Sequence, residues 1–178
     1  EEAPYSCREW VVANPMDFEV AGKQRAAVRY TLRVPPATPE GSYHCAVSFL
    51  SQPPAGQAAG MGLRTAVQIV ASIYVVVGRP AVEGTVKGLR LEYVPHPQTP
   101  GWRAVVVFSN PGLMHFRPEG SVEVLDESGQ VAETVKLAPL PVLPKRDQNF
   151  IVPLELKDGP GNYTLRARVD LGMNEIQE

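Results

Sequence analysis

Apolar and polar positions alternate with a period of two along most of the chain, which predicts strands with one face toward a core. Residues 25–34 put Val28, Tyr30, Leu32 and Val34 on one face and Arg29, Thr31 and Arg33 on the other. Residues 43–49 predict burial of Tyr43, Cys45, Val47 and Phe49 and exposure of His44, Ala46 and Ser48. Trp102, Ala104, Val106 and Phe108 alternate in the same way. So do Phe150, Val152, Leu154 and Leu156, where Pro153 on the opposite face predicts an edge strand. A last alternating run carries Tyr163, Leu165, Ala167 and Val169 against Thr164, Arg166 and Arg168. The stretch 65–77 is more continuously apolar, with Val67, Ile69, Ala71, Ile73, Val75 and Val77 on one face. Such a run reads either as a buried core strand or as an apolar edge awaiting a partner.

The connections are built from turn formers. Residues 35–41, 95–101 and 126–129 are the clearest, and the last separates Val122 and Val124 from Val131 and Val135 as a hairpin. Residues 51–62 form a loop of small side chains that reads as mobile. No stretch carries the i, i+3, i+4 pattern of an amphipathic helix. Two turn-to-strand openings match: Gly41-Ser42-Tyr43 and Gly161-Asn162-Tyr163. A Tyr in this setting is the tyrosine corner of Greek-key sandwiches, whose hydroxyl bonds back to the preceding turn. Tyr43 also precedes Cys45 by the Y-x-C spacing of immunoglobulin strand F. Tyr43 and Tyr163 lie about 120 residues apart, close to one sandwich length. The expected fold is therefore all-β, two tandem immunoglobulin-like antiparallel β-sandwich domains, residues 1–78 and 79–178.

The repeat carries a further expectation. The first half holds about four strands and the second about six, where about seven are usual. On that comparison the first domain lacks N-terminal strands, the second lacks its last strand, and the chain is incomplete at both termini.

Composition narrows the function classes. Hydrophobic residues make up 44% of the 178, enough for a real core, and 18 prolines and 15 glycines punctuate the strands. A net charge of −2 gives no electrostatic footprint for nucleic acid. The longest apolar run, 66–77, is interrupted by Gln68 and Ser72 and is too short to span a bilayer as a helix. His44, His96 and His115 lack metal-ligand spacing, and no nucleophile, P-loop or dinucleotide motif occurs, so no enzyme activity, metal, cofactor or small-molecule substrate is expected. Cys7 and Cys45 belong to no C-x-x-C pair; they read as one disulfide or as two buried thiols. A bond would close a loop of about 37 residues and stabilise by roughly 3–4 kcal/mol on the chain-entropy model.

A family resemblance rests on Trp10 through Gly22, Val34-Pro35-Pro36, Gly41-Ser42-Tyr43 and the strand end Ile73-Tyr74-Val75-Val76-Val77 in the first half. In the second it rests on Phe108-Ser109-Asn110-Pro111-Gly112 and on Leu143-Pro144 through Gly161-Asn162-Tyr163. These segments resemble bacterial tandem immunoglobulin-like envelope proteins: periplasmic pilus-assembly chaperones and the surface proteins that interact with WxL proteins. The resemblance implies an exported, periplasmic or cell-surface protein that binds another envelope or surface protein. In the chaperones the last strand of the first domain pairs with an incomplete subunit, and the matching residues here are Val67, Ile69, Ala71, Ile73 and Val75. The chaperones carry a lysine shortly before an Arg-Pro step; this chain has Ser72-Ile73-Tyr74 ahead of Arg79-Pro80. The expected function is a non-catalytic, chaperone-like or adhesion-like protein-binding module. A structural spacer and a carbohydrate-binding β-sandwich are the alternatives.

Overall fold

A computed structural model describes residues 4–51, 66–95, 98, 100–156, 161–173 and 176–177. The chain divides into two compact units, Glu1–Val77 and Gly78–Glu178. Both are antiparallel β-structures, and the one helical element among the described residues is a single 3-10 turn, Arg8–Trp10.

In the first unit, β1 (Val11–Asn14) pairs with β2 (Arg29–Leu32), and β3 (Gly41–Leu50) pairs with β4 (Gln68–Val77) over its full length. Cross-strand partners share a face, so the apolar faces read separately from 43–49 and 65–77 are one face of one ladder: Tyr43 lies opposite Val75, Cys45 opposite Ile73, Val47 opposite Ala71 and Phe49 opposite Ile69. Only one end of that face is closed. Cys7, Tyr43 and Val75 form the buried nucleus, with Tyr5, Trp10, Cys45, Ile73 and Val77 packed around them. Toward the other end burial fades, and half-buried Phe49 meets the Phe18 ring edge to face with centroids 6.5 Å apart. β2 departs from expectation: Tyr30, Leu32 and neighbouring Val34 are all exposed, because no second sheet lies over them among the described residues. His44, expected on the solvent face, is half-buried.

The second unit is a closed sandwich. One sheet runs β5 (Thr85–Val94), β6 (Gly101–Asn110), β9 (Arg146–Leu154); the other runs β10 (Thr164–Asp170), β7 (Glu119–Leu125), β8 (Val131–Lys136). Ala104, Val106 and Phe108 of β6 and Phe150, Val152 and Leu154 of β9 meet Val122, Val124, Ala167 and Val169 of the facing sheet in one core. Phe108 and Phe150 pack edge to face at 4.8 Å, the arrangement that aromatic quadrupoles favour. β9 is an edge strand, in keeping with Pro153, and β7–β8 is the expected hairpin. Its turn is held by the Asp126 carboxylate, which accepts hydrogen bonds from Ser128 N (2.8 Å), Ser128 Oγ (2.7 Å) and Gln130 N (2.9 Å).

Two polar devices and one glycine hold this sandwich at its seams. Asn110, 1% exposed, donates from Nδ2 to the carbonyls of Met114 and Val142 and accepts from Gly112 N, which pins the crossover after β6. Gly120 adopts φ +155° where a Cβ would lie 2.0 Å from the Arg168 carbonyl oxygen, so β7 and β10 approach closely only because that residue has no side chain. Gln177 exchanges backbone hydrogen bonds with Val169 while its side chain accepts from Val86 N and donates to Gly84 O.

Phe108→Ala is expected to destabilise the second unit by about 3–5 kcal/mol, whereas Ile151→Thr, on the outward face of β9, stays within about 0.5 kcal/mol. Urea unfolding followed by the fluorescence of Trp102 measures both. Acid has a signed effect on the same unit. Hydrogen bonds from Arg90 and then Arg103 hold Glu92 below the usual carboxylate range. Lys87 does so for Asp147, and Ser128 for Asp126. Carboxylates lowered by folding contribute stability above their unfolded pKa and lose it as pH falls through the lowered value. The melting temperature should therefore hold from neutrality to about pH 4 and drop below it; a melting temperature unchanged down to pH 2 would contradict this.

Candidate functional site

The feature that distinguishes this molecule is the β3–β4 ladder. β4 has β3 on one edge and no strand on the other among the described residues. From Ala66 to Val77 its sequence carries no charged residue, no proline and no glycine. Natural edge strands are usually blunted by charge, proline or a bulge, and the register of β4 with β3 runs without a shift.

The five residues expected to face a partner are graded along the strand. Val67, just before β4, is exposed, and its amide and carbonyl are tied to Ser51. Ile69 is 63% exposed and Ala71 is exposed; Ile73 is half-buried, and Val75 is closed off at 8% beside Tyr43. The apolar face is thus a surface at its Val67–Ala71 end and core at its Val75 end. Val70 and Val76, on the reverse face, are exposed as well. The loop 51–62 lies outside the described residues apart from Ser51.

Tyr43 forms the corner that the sequence predicts: its hydroxyl donates to the Pro39 carbonyl at 2.9 Å. This bond, with the Trp10 ring packed at 4.5 Å and tilted by 49°, fixes the start of β3. Tyr163 packs its ring over Gly161; most of the turn before it, 157–160, lies outside the described residues. Cys7 and Cys45 are free cysteines in this structure rather than a disulfide. They nevertheless lie together: the parallel Ser6–His44 bridge sets Cys7 alongside Cys45, which packs on the cluster that buries Cys7. Burial first, and then the Cys45 thiol, pushes Cys7 up to about 12.

Sequence reasoning missed how Cys7 reaches Cys45. Residues 5–7 run parallel to β3 along the edge that β4 leaves open: His44 N donates to Tyr5 O at 2.8 Å, and Cys7 N donates to His44 O at 3.1 Å. A three-residue pairing carries too little alternation to be read from sequence. Asn110 was also missed as a hub; the turn-forming Asn110-Pro111-Gly112 was its one visible signal.

Among the described residues, no group of three or more His, Cys, Asp and Glu is placed to hold a metal ion, and no helix is long and apolar enough to cross a membrane. Tyr93 and Trp102 form an aromatic pair at 5.1 Å, but their planes are tilted by 59° and Trp102 packs on the core. Comparison with protein-family models, with curated proteins and with solved structures found no match to this chain.

Tyr43→Phe should cost the first unit about 1 kcal/mol, the net worth of one hydrogen bond, because the exposed Pro39 carbonyl is rehydrated. Trp10 fluorescence during urea unfolding reports it. A neutral result would mean that the packing of the Trp10 ring, not the hydroxyl, sets the corner.

Proposed function

We propose that this chain is a non-catalytic protein-binding module of the bacterial cell envelope whose first unit recognises a partner protein by β-strand pairing along the outer edge of β4. The observation that carries this reading is the ten-residue, uncharged, unblunted edge of β4 with Ile69 and Val70 exposed on its two faces. In β-augmentation, backbone hydrogen bonds supply affinity and alternate side chains supply selection. Here Val67, Ile69 and Ala71 are the selecting positions, and Ile73 and Val75 anchor the strand to its own core. The partner is another envelope or surface protein, the chain acts after export, in the periplasm or at the cell surface, and each unit is an immunoglobulin-like domain. This follows the resemblance to pilus chaperones and WxL-interacting proteins. The lysine those chaperones use is replaced here by Ser72-Ile73-Tyr74, so capture rests on the strand edge rather than on a partner's carboxylate.

The tilt between Tyr93 and Trp102 weighs against a carbohydrate platform, which needs coplanar exposed rings. A spacer has no use for an unblunted edge.

The test is capture from the native envelope fraction, with partners identified by mass spectrometry and their affinity then measured with purified protein. Ile69→Lys should weaken the identified complex about tenfold or more, a loss of at least about 1.4 kcal/mol, while Ile151→Thr in the second unit leaves it unchanged. Equal binding by wild type and Ile69→Lys would sink the reading.

A further inference from the structure

We infer that Cys7 and Cys45 are a dithiol oxidation site that takes a low-molecular-weight disulfide as oxidant and locks residues 5–7 along the second edge of β3. The segment is held there by two backbone hydrogen bonds, Tyr5 O from His44 N and Cys7 N to His44 O, around the single parallel bridge between Ser6 and His44. So few bonds leave a short strand free to lift from an edge. Directly beside them sits a reversible covalent option, since the parallel Ser6–His44 bridge sets Cys7 alongside Cys45, and Cys45 packs on the cluster that buries Cys7. Tyr5 and Trp10 flank the Tyr43 ring in the nucleus that closes over Cys7, with centroids 6.1 and 4.5 Å from it.

The two thiols differ in access, which orders the chemistry. Cys7 is fully buried, and burial first pushes its thiol further up, to about 12. Cys45 is partly exposed on β3. The Cys45 sulfur therefore attacks the incoming disulfide RS–SR, forming a mixed disulfide Cys45–S–SR and releasing one RSH. The Cys7 sulfur then attacks the Cys45 sulfur, its proton passing to the departing RS⁻. The products are the Cys7–Cys45 disulfide and a second RSH: two thiols are oxidised and one external disulfide is reduced. Cys7 is the resolving thiol, and its seclusion limits side reactions because a buried thiol meets only its neighbour.

Closing the bond holds residues 5–7 on β3 for as long as the disulfide lasts. That edge is then covered around His44, while the outer edge of β4 has no strand beside it among the described residues. The clasp stands whether or not β4 takes a partner strand, because every readout below is made on the isolated chain.

The experiment treats the reduced, folded protein with oxidised glutathione and follows intact mass and amide hydrogen exchange. Wild type should become lighter by two hydrogen atoms, with no lasting glutathione adduct. Exchange at the Cys7 and His44 amides should slow by about tenfold or more, a modest share of what cross-linking a loop of this length contributes. Cys7→Ala should stop at the mixed disulfide, one glutathione heavier. Cys45→Ala should stay unmodified while folded and react once denatured. Two free thiols persisting in folded wild type at saturating oxidised glutathione would overturn the site. A bond that forms without slowing exchange at Cys7 and His44 would overturn the clasp. Equal adduct formation in folded Cys7→Ala and Cys45→Ala would overturn the order of attack.

Discussion

The meeting of two inner sheet faces across Phe108 and Phe150 is the contact on which the second unit rests. A pleated strand sends alternate side chains to opposite sides, so burying one face of a ladder leaves the other to solvent. In the second unit the β6–β9 and β7–β10 faces cover each other, and the polar devices at Asn110 and Gln177 follow from that closure. The same constraint acts on the first unit with a different result. Its β3–β4 ladder is closed by Tyr5, Trp10 and Cys7 at one end only, so Ile69 and Ala71 stay at the surface while Val75, on the same face, does not.

Much of this was legible in the order of residues. The alternation at 102–108 and 150–154 identifies the core strands, Pro153 identifies an edge, and Asp126 through Gly129 identifies the hairpin turn. The Gly-x-Tyr opening at Tyr43 identifies a corner whose hydrogen bond is present. Alternation fails where burial depends on what lies above a face. Val105 points away from the core side of β6 yet is closed from solvent, flanked in register by Arg90 and Ile151. Tyr30 and Leu32 alternate as well as any core residues and are exposed, since period alone does not supply a covering sheet.

The candidate site was half legible. The apolar face of 65–77 was visible as a run of β-branched residues, but a buried strand and an open edge share that composition. The distinction lies in what pairs with β4, which is a property of topology. The two cysteines illustrate the same limit. Their types and the strand periodicity around Cys45 were readable; the parallel strip that brings Cys7 to it spans too few residues to leave a period.

Gln177 joins parts of the sandwich that alternation treats as unrelated. Its backbone holds Val169 at the end of β10 while its side-chain amide holds Gly84 and Val86 at the start of β5. One residue thereby occupies hydrogen-bonding groups on both sheets, so the corner behaves as a single cooperative element rather than two fraying ends. When that glutamine lets go, the amides of Val86 and Val169 lose their partners in the same event, and protection there is inherited from a side chain far away in sequence.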